Sequence, residues 1–358
     1  MTAAGLPCML LRGGTSKGAY FLASDLPADP GERDDLLLRV MGSPDPRQID
    51  GLGGGHPLTS KVAVVAPSEE SGVDVDYLFL QVVVDQAVVS DRQNCGNILA
   101  GVGPFAIERG LVSVAGETTS VRIRLRNTGS ICTATVATPG GSVDYDGDLA
   151  IDGVPGTAGA IPLDFEEVAG SSTGGLFPTG NLVDTLAGTR ATCVDGGMPT
   201  VILRADDLGV TGDESPEELE SDATLTARVE RIRLAAGRAM GLGDVADATM
   251  PKMVLASAPV QGGAIATRSF IPHRVHTSIG VLGAISAAAG LIPEGTVAHD
   301  LVSPPGSGDP FALEHPTGRF AVEVVVDQAE DGWTLTRAAA LRTARKIFEG
   351  AVFPRPRT

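Results

Sequence analysis

Two stretches half a chain apart are apolar on every side of a helix, which constrains the fold more than any other feature of these 358 residues. The first follows Gln93-Asn94-Cys95-Gly96-Asn97 and runs through Ile98-Leu99-Ala100-Gly101-Val102-Gly103-Pro104-Phe105-Ala106-Ile107. The second, a helix expected near 277–292, lies within 274–292, which reads Arg-Val-His-Thr-Ser-Ile-Gly-Val-Leu-Gly-Ala-Ile-Ser-Ala-Ala-Ala-Gly-Leu-Ile. A helix without a polar face has to be buried. Overlaying 94–112 on 274–292 places Gly103 on Gly283, Phe105 on Ile285, and Gly110-Leu111-Val112 on Gly290-Leu291-Ile292, an offset of 180 residues. The expectation is two similar lobes, each with a buried helix that has a polar mouth.

Short β-rich runs separated by Gly, Pro and Asp fill much of the remainder. Strands are expected at Val62–Val65, Tyr77–Val84, Val121–Leu125, Thr133–Ala137, Thr200–Leu203 and Val322–Val326. Asp34–Met41 reads as an amphipathic helix. Ser215–Met240 reads as one long helix, opened by Ser-Pro-Glu-Glu, with a cap, a proline and an acidic first turn. Buried helices wrapped by strands, twice over, predict an α+β protein with curved sheets. The length suits two domains. Residues 170–180, rich in Gly and Ser, read as the crossing loop, giving lobes at 1–185 and 186–358. The last residues are taken to return to the first lobe.

The net charge is −17, so a nucleic-acid or anionic-membrane partner is not expected, and any anion seat must be compact. Four cysteines lie far apart, without a C-x-x-C pair, and the five histidines form no H-x-x-x-H pair. No metal site is expected. No secretory signal pattern or bilayer-length apolar run is visible, which suggests a cytoplasmic protein with reduced thiols.

Several segments carry chemistry. A thiol at a helix mouth, as Cys95 would be, is biased toward thiolate, and the adjacent backbone N–H groups suit a carboxylate. The plain alternative is a small buried hydrophobe. Arg12-Gly13-Gly14-Thr15-Ser16-Lys17-Gly18 lacks the phosphate-loop spacing, yet its hydroxyls and glycine backbone can cradle a carboxylate. Lys61 heads an apolar strand, so it either snorkels to water or is desolvated into a usable base. Gly170-Ser171-Ser172-Thr173-Gly174 matches G-x-S-x-G but lacks the strand–turn–helix context of a serine hydrolase.

Taken in order, Arg12–Gly18, Met41-Gly42-Ser43-Pro44-Asp45 with Arg47–Gly51, Thr59-Ser60-Lys61-Val62-Ala63, Gln93–Asn97 and Arg268-Ser269-Phe270-Ile271-Pro272-His273 resemble the methylaconitate isomerase family over essentially the whole chain. The Met-Gly-Ser-Pro-Asp and Ser-Phe-Ile-Pro-His segments resemble most the branch acting on 4-oxalomesaconate. The resemblance implies a diaminopimelate epimerase-like fold, with two pseudo-symmetric lobes, each a curved sheet around a central helix. It also implies cofactor-free movement of a proton and a double bond in a small unsaturated tricarboxylate, with Lys61 and Cys95 as the catalytic pair. Arg12, Gly13, Thr15, Ser16, Asn94, Gly96, Asn97, His276, Thr277 and Ser278 are then candidate substrate contacts, with Arg268 as counter-charge. A homodimer is the expected assembly. The alternatives are isomerisation of 2-methylaconitate or aconitate, or a catalytically inactive carboxylate-binding protein.

Overall fold

A computed structural model describes residues 5–306, 309–329 and 332–357. The chain divides into two compact units: Met1–Asp164 with Leu341–Thr358, and Phe165–Ala340. The boundary therefore lies at 164/165 and not at 185. The Gly-Ser stretch is bound into the second unit, because the Gly170 N–H donates to the Asp195 carbonyl (2.7 Å) and the Asp195 N–H donates to the Leu176 carbonyl (2.8 Å). The Ser172 N–H and the Thr173 hydroxyl donate to the Asp195 carboxylate at 3.0 and 2.9 Å.

In the first unit the strands are β1 (Leu6–Gly13), β2 (Ser16–Leu22), β3 (Lys61–Pro67), β4 (Val75–Val82), β5 (Val89–Ser90), β6 (Thr118–Leu125) and β7 (Ile131–Ala137), and β8 (Ala160–Glu166) runs across the boundary. The helices of the first unit are α1 (Pro30–Met41), α2 (Gly96–Leu99) and α3 (Val102–Glu108). The second unit holds β9 (Asp184–Leu186), β10 (Thr189–Asp195), β11 (Pro199–Arg204), β12 (Lys252–Ser257), β13 (Ile265–Phe270), β14 (Phe311–His315) and β15 (Gly318–Ala329), with helices α4 (Pro216–Ser221), α5 (Ala223–Ala239) and α6 (Val281–Ala289). The long β16 (Gly332–Val352) pairs with β15 through residues 332–340 and with β1 through residues 344–352.

Both units repeat one pairing order. From β1 through β2, β3, β4, β6 and β7 the contacts run antiparallel, parallel, antiparallel, parallel, antiparallel. From β10 through β11, β12, β13, β14 and β15 they run the same way. Parallel neighbours need a crossover, and helices supply it at matching places: α1 and α5 at the first, α2–α3 and α6 at the second. Lys61 and Lys252 open the equivalent strands β3 and β12, paired in parallel with Gly18 and Thr200. Helix α2 packs on β1, β2 and β3, and α3 on β3, β6 and β7, so the first sheet curls around them. Helix α6 packs likewise on β10, β11, β14 and β15.

Ile98, Leu99, Val102 and Phe105 are wholly buried, as are Ala284 and Ile285. Burying each of the larger side chains contributes roughly 1.5–3 kcal/mol. A second core lies on the other face of each sheet, under α1 (Leu37, Val40, Met41) and under α5 (Leu225, Val229, Ile232, Ala236).

All four expected helices depart from their outlines. Helix α1 starts four residues before Asp34, because the Asp29 carboxylate caps the Glu32 N–H (2.9 Å) and Pro30 fits the first turn. The long helix expected from Ser215 is interrupted at Asp222, whose carboxylate accepts from the Thr224 and Leu225 N–H groups (2.9 Å each) and starts a new helix. The apolar segment after Cys95 is two short helices. Pro104 has no N–H to bond the Ala100 carbonyl, and a Cβ on Gly101 would lie 2.4 Å from the Tyr20 hydroxyl. At the 180-residue offset α3 falls inside α6. The Gly96–Leu99 turn has no helical counterpart, because α6 starts at Val281 and not at Thr277, and the Ser278 N–H turns back to His276 Nδ1 (2.8 Å).

Candidate active site

The first unit packs the Gly13–Ser16 hairpin against Asn97 of the Asn94–Asn97 turn, and it carries Lys61 at the head of β3, paired with Gly18. The hairpin is closed by pairing of Gly13 with Ser16, and Gly14 has φ +50°. A Cβ on Gly13 would meet the Asn97 carbonyl oxygen at 2.3 Å, so only glycine permits this approach. Asn97 Nδ2 donates to the Thr15 hydroxyl (3.2 Å). Arg12 folds back over the turn, and its Nη1 donates to the Gly14 carbonyl (2.9 Å) and to the Thr343 hydroxyl (2.9 Å). Burial lowers its pKa, as does the neighbouring charge of Arg345. Two buried polar atoms here have no protein partner: Ser16 Oγ and Asn94 Oδ1. Asn94 Nδ2 is occupied by the Thr128 hydroxyl at 2.7 Å.

Cys95 is the N-terminal flanking residue of α2. Its carbonyl accepts from the Leu99 N–H (3.0 Å), which leaves the N–H groups of Gly96, Asn97 and Ile98 outside the helical ladder. A four-residue helix has little summed dipole, so these local N–H groups are what an anion would meet. Strand β5 leads into this turn; it pairs with β4 at Gln81 and Val82, and Asn127 Nδ2 holds the Asp91 carbonyl at 2.6 Å. The Tyr77 hydroxyl donates to the Cys95 carbonyl (3.3 Å), and the Tyr20 hydroxyl donates to the Ile98 carbonyl. Burial and then the charge of Cys95 hold both tyrosines well above their ordinary pKa, so they remain donors at neutral pH. Cys8 and Cys193 are buried, and burial pushes both thiols up to about 12. Cys132 is buried as well, and Cys95 alone of the four reaches solvent in part.

Lys61 does not snorkel. It is 6% exposed, its Nζ donates to Gln81 Oε1 at 2.9 Å, and it sits 5.0 Å from the centre of the Phe79 ring. Tyr77, Phe79 and Gln81 are alternate residues of β4 and so share one face, with Tyr77 under Cys95 and Gln81 beside Lys61. The strand was legible in the sequence, but the period-2 set of Tyr77, Phe79 and Gln81 carried no motif, and these supporting residues went unread.

The remaining candidates lie in the second unit. His276 and Ser278 are buried, and Ser278 Oγ stands 3.2 Å from Nε2 of the buried His315, a residue the sequence did not single out. The Thr277 side chain is exposed, and its carbonyl accepts the Thr317 hydroxyl at 2.9 Å. Arg268 is 9% exposed, with Nε on the Glu214 carbonyl (2.8 Å) and Nη1 on the Thr267 carbonyl (3.0 Å). Burial lowers its pKa, against the charges of Asp213, Glu214 and Glu314. These bonds fasten the loop before α4 to β13. Arg268→Ala is therefore expected to cost about 2 kcal/mol of stability, seen as a lower urea midpoint. An unchanged midpoint with a raised KM would instead make Arg268 a substrate contact. Among the described residues no group of three or more His, Cys, Asp or Glu is placed to hold a metal ion.

Comparison with known proteins gives this geometry a family. The PrpF protein family matches residues 4–355. The (4E)-oxalomesaconate Delta-isomerase of Novosphingobium sp. (strain KA1) is 58% identical over 348 residues, 97% of this chain and 97% of that protein. The 4-oxalomesaconate tautomerase of Pseudomonas putida (strain KT2440) is 56% identical over 349 residues, covering 97% and 95%. The crystal structure of a methylitaconate-delta-isomerase superposes with a TM-score of 0.83 at 35% identity, over 98% of this chain and 96% of that one. With matches of this extent, and two units of identical strand order around buried helices, the chain belongs to the PrpF family and is an isomerase with the epimerase-like fold.

Proposed function

We propose that this protein isomerises 4-oxalomesaconate, with Lys61 and Cys95 as its acid–base groups and no cofactor. The observation that carries the reading is the buried Lys61 amine, anchored by Gln81 in the same unit as the partly exposed Cys95 thiol. The relatives at 58% and 56% identity bear names for this substrate.

The chemistry follows from the substrate. A C–H beside a C=C conjugated to a ketone and carboxylates is acidic, because its carbanion delocalises as a dienolate. Lys61 takes that proton. The electron pair moves through the conjugated system to the oxygen, and a proton returns to a different atom of the same framework, so nothing is gained or lost overall. Cys95 serves as the second acid–base group. The N–H groups of Gly96 and Asn97 stabilise the developing oxyanion more than the ground state, which is what accelerates the step. The Thr15 and Ser16 hydroxyls and the Asn94 amide are suited to the carboxylates. For Ser16 a ligand carboxylate would also satisfy a buried hydroxyl that the protein leaves unpartnered, whereas Asn94 can offer a carboxylate only its Nδ2, because its unpartnered Oδ1 accepts and does not donate. Gly13 lets the hairpin close on Asn97, and Arg12 holds its shape. The four free cysteines suit a reducing cytoplasm.

The test is ultraviolet monitoring of 4-oxalomesaconate with purified protein, with 2-methylaconitate and aconitate run alongside. Enzyme-dependent conversion of 4-oxalomesaconate at the highest kcat/KM of the three is expected. Turnover confined to either of the others, or none at all, overturns the assignment.

A further inference from the structure

We propose that Gln81 is a positioning residue that fixes the direction in which the Lys61 amine faces the substrate. This rests on Lys61 being the base. Gln81 stands opposite Lys61 in the β3–β4 register, and its Oε1 accepts from Lys61 Nζ at 2.9 Å. The amide cannot turn over, because its Nε2 donates to the Ser60 carbonyl (2.8 Å) and the Pro57 carbonyl (3.2 Å). The segment it grips is itself held: Ser60 Oγ donates to the Val82 carbonyl (2.7 Å), Gln48 Nε2 donates to Ser60 Oγ (2.7 Å), and Gln48 Oε1 accepts from the Gly55 N–H (3.0 Å). Phe79, two residues along the same face of β4, sets its ring centre 5.0 Å from Nζ and bounds the amine on that side.

A lysine side chain has four rotatable bonds, so burial alone does not aim its nitrogen. With one N–H engaged by Oε1, the lone pair of the neutral amine is directed away from β4. The second unit supplies a contrast. Lys252 opens the equivalent strand β12, but pairing of β12 with β13 begins one residue later, at Met253 and Phe270. Lys252 Nζ donates instead to the Thr249 backbone carbonyl at 2.7 Å. Matching strand positions thus give their lysines different acceptors, the Gln81 side chain across the sheet for Lys61 and the Thr249 backbone carbonyl for Lys252.

The test compares Gln81→Met, which keeps the length and loses the acceptor, with Gln81→Glu, which restores an acceptor for Nζ, and with Lys61→Met, all assayed with 4-oxalomesaconate. Gln81→Met is expected to lower kcat about a hundredfold with KM within about twofold, because a misaimed base costs rate and not binding. Its melting temperature should stay close to that of the parent, since Gln81 is only half-buried. Gln81→Glu keeps an acceptor for Nζ but should stay below the parent kcat at neutral pH, because its carboxylate favours the ammonium form and cannot donate to the Ser60 and Pro57 carbonyls. A Gln81→Met protein with parental kcat, or with raised KM and unchanged kcat, overturns the positioning role, as does a rate loss that merely tracks lost folded protein. If Lys61→Met is inactive while Gln81→Met is unaffected, this inference alone fails. If Lys61→Met turns over normally, the reading of Lys61 as base fails and takes this one with it.

Discussion

Lys61→Met is expected to abolish turnover of 4-oxalomesaconate while leaving the protein folded. Methionine fills nearly the same space, and the site suits it, since Lys61 is 6% exposed and its tip lies over the Phe79 ring. The one hydrogen bond given up is to Gln81, which is half-buried and can take water in exchange, so the stability cost should be about 1 kcal/mol or less. Loss of a general base costs about 10²–10⁴-fold in rate. The decisive measurement is proton NMR in deuterated water. A base that removes the acidic proton also catalyses its exchange, so the variant should neither turn over nor wash deuterium into the substrate. Near-parental exchange and turnover would sink the assignment and leave a cysteine-centred mechanism to be sought.

Cys95→Ser should cost on the order of a hundredfold in kcat, because the hydroxyl is not ionised near neutral pH where a thiol can be. The local structure should survive, since the contacts that hold this residue use its backbone carbonyl, bonded by Leu99 and Tyr77, and not its sulfur. Deuterium exchange separates two roles. If Cys95 returns the proton at the far carbon, exchange by Lys61 continues in the variant while product formation slows. If Cys95 takes the first proton, both stop together. A Cys95→Ser enzyme with parental kcat would remove the thiol from the reaction.

The extent to which sequence foretold this site varies with the range of the interaction. The all-round apolar segments identified the two central helices because burial on every side is written locally. Their outlines were less legible: the break at Ala100–Gly101 depends on Gly101 packing against Tyr20, a strand residue some 80 positions earlier. Asp222 looked like one more acidic helix residue until its carboxylate was seen bonded to the N–H groups of Thr224 and Leu225. Arg268 read as a counter-charge to substrate carboxylates, but its Nε bonds the backbone carbonyl of Glu214, a partner that no local pattern encodes. Gln81 and Tyr77 depend on strand register, which is a property of the folded sheet and not of the segment that carries them.

The pairing of β1 with the last residues of β16 has a consequence for how the protein is made. Leu6 finds Val352 and Gly13 finds Ala344, contacts that span nearly the full length of the chain. Residues 165–340 form the second unit without interruption, so a nascent chain holds everything that unit needs before the first one can be finished. Until the final residues emerge, β1 has β2 on one side and an open row of backbone donors and acceptors on the other. The part of the protein that carries Lys61 and Cys95 is translated first and completed last, and its exposed strand edge is the surface for which chaperones and neighbouring chains would compete in the interval.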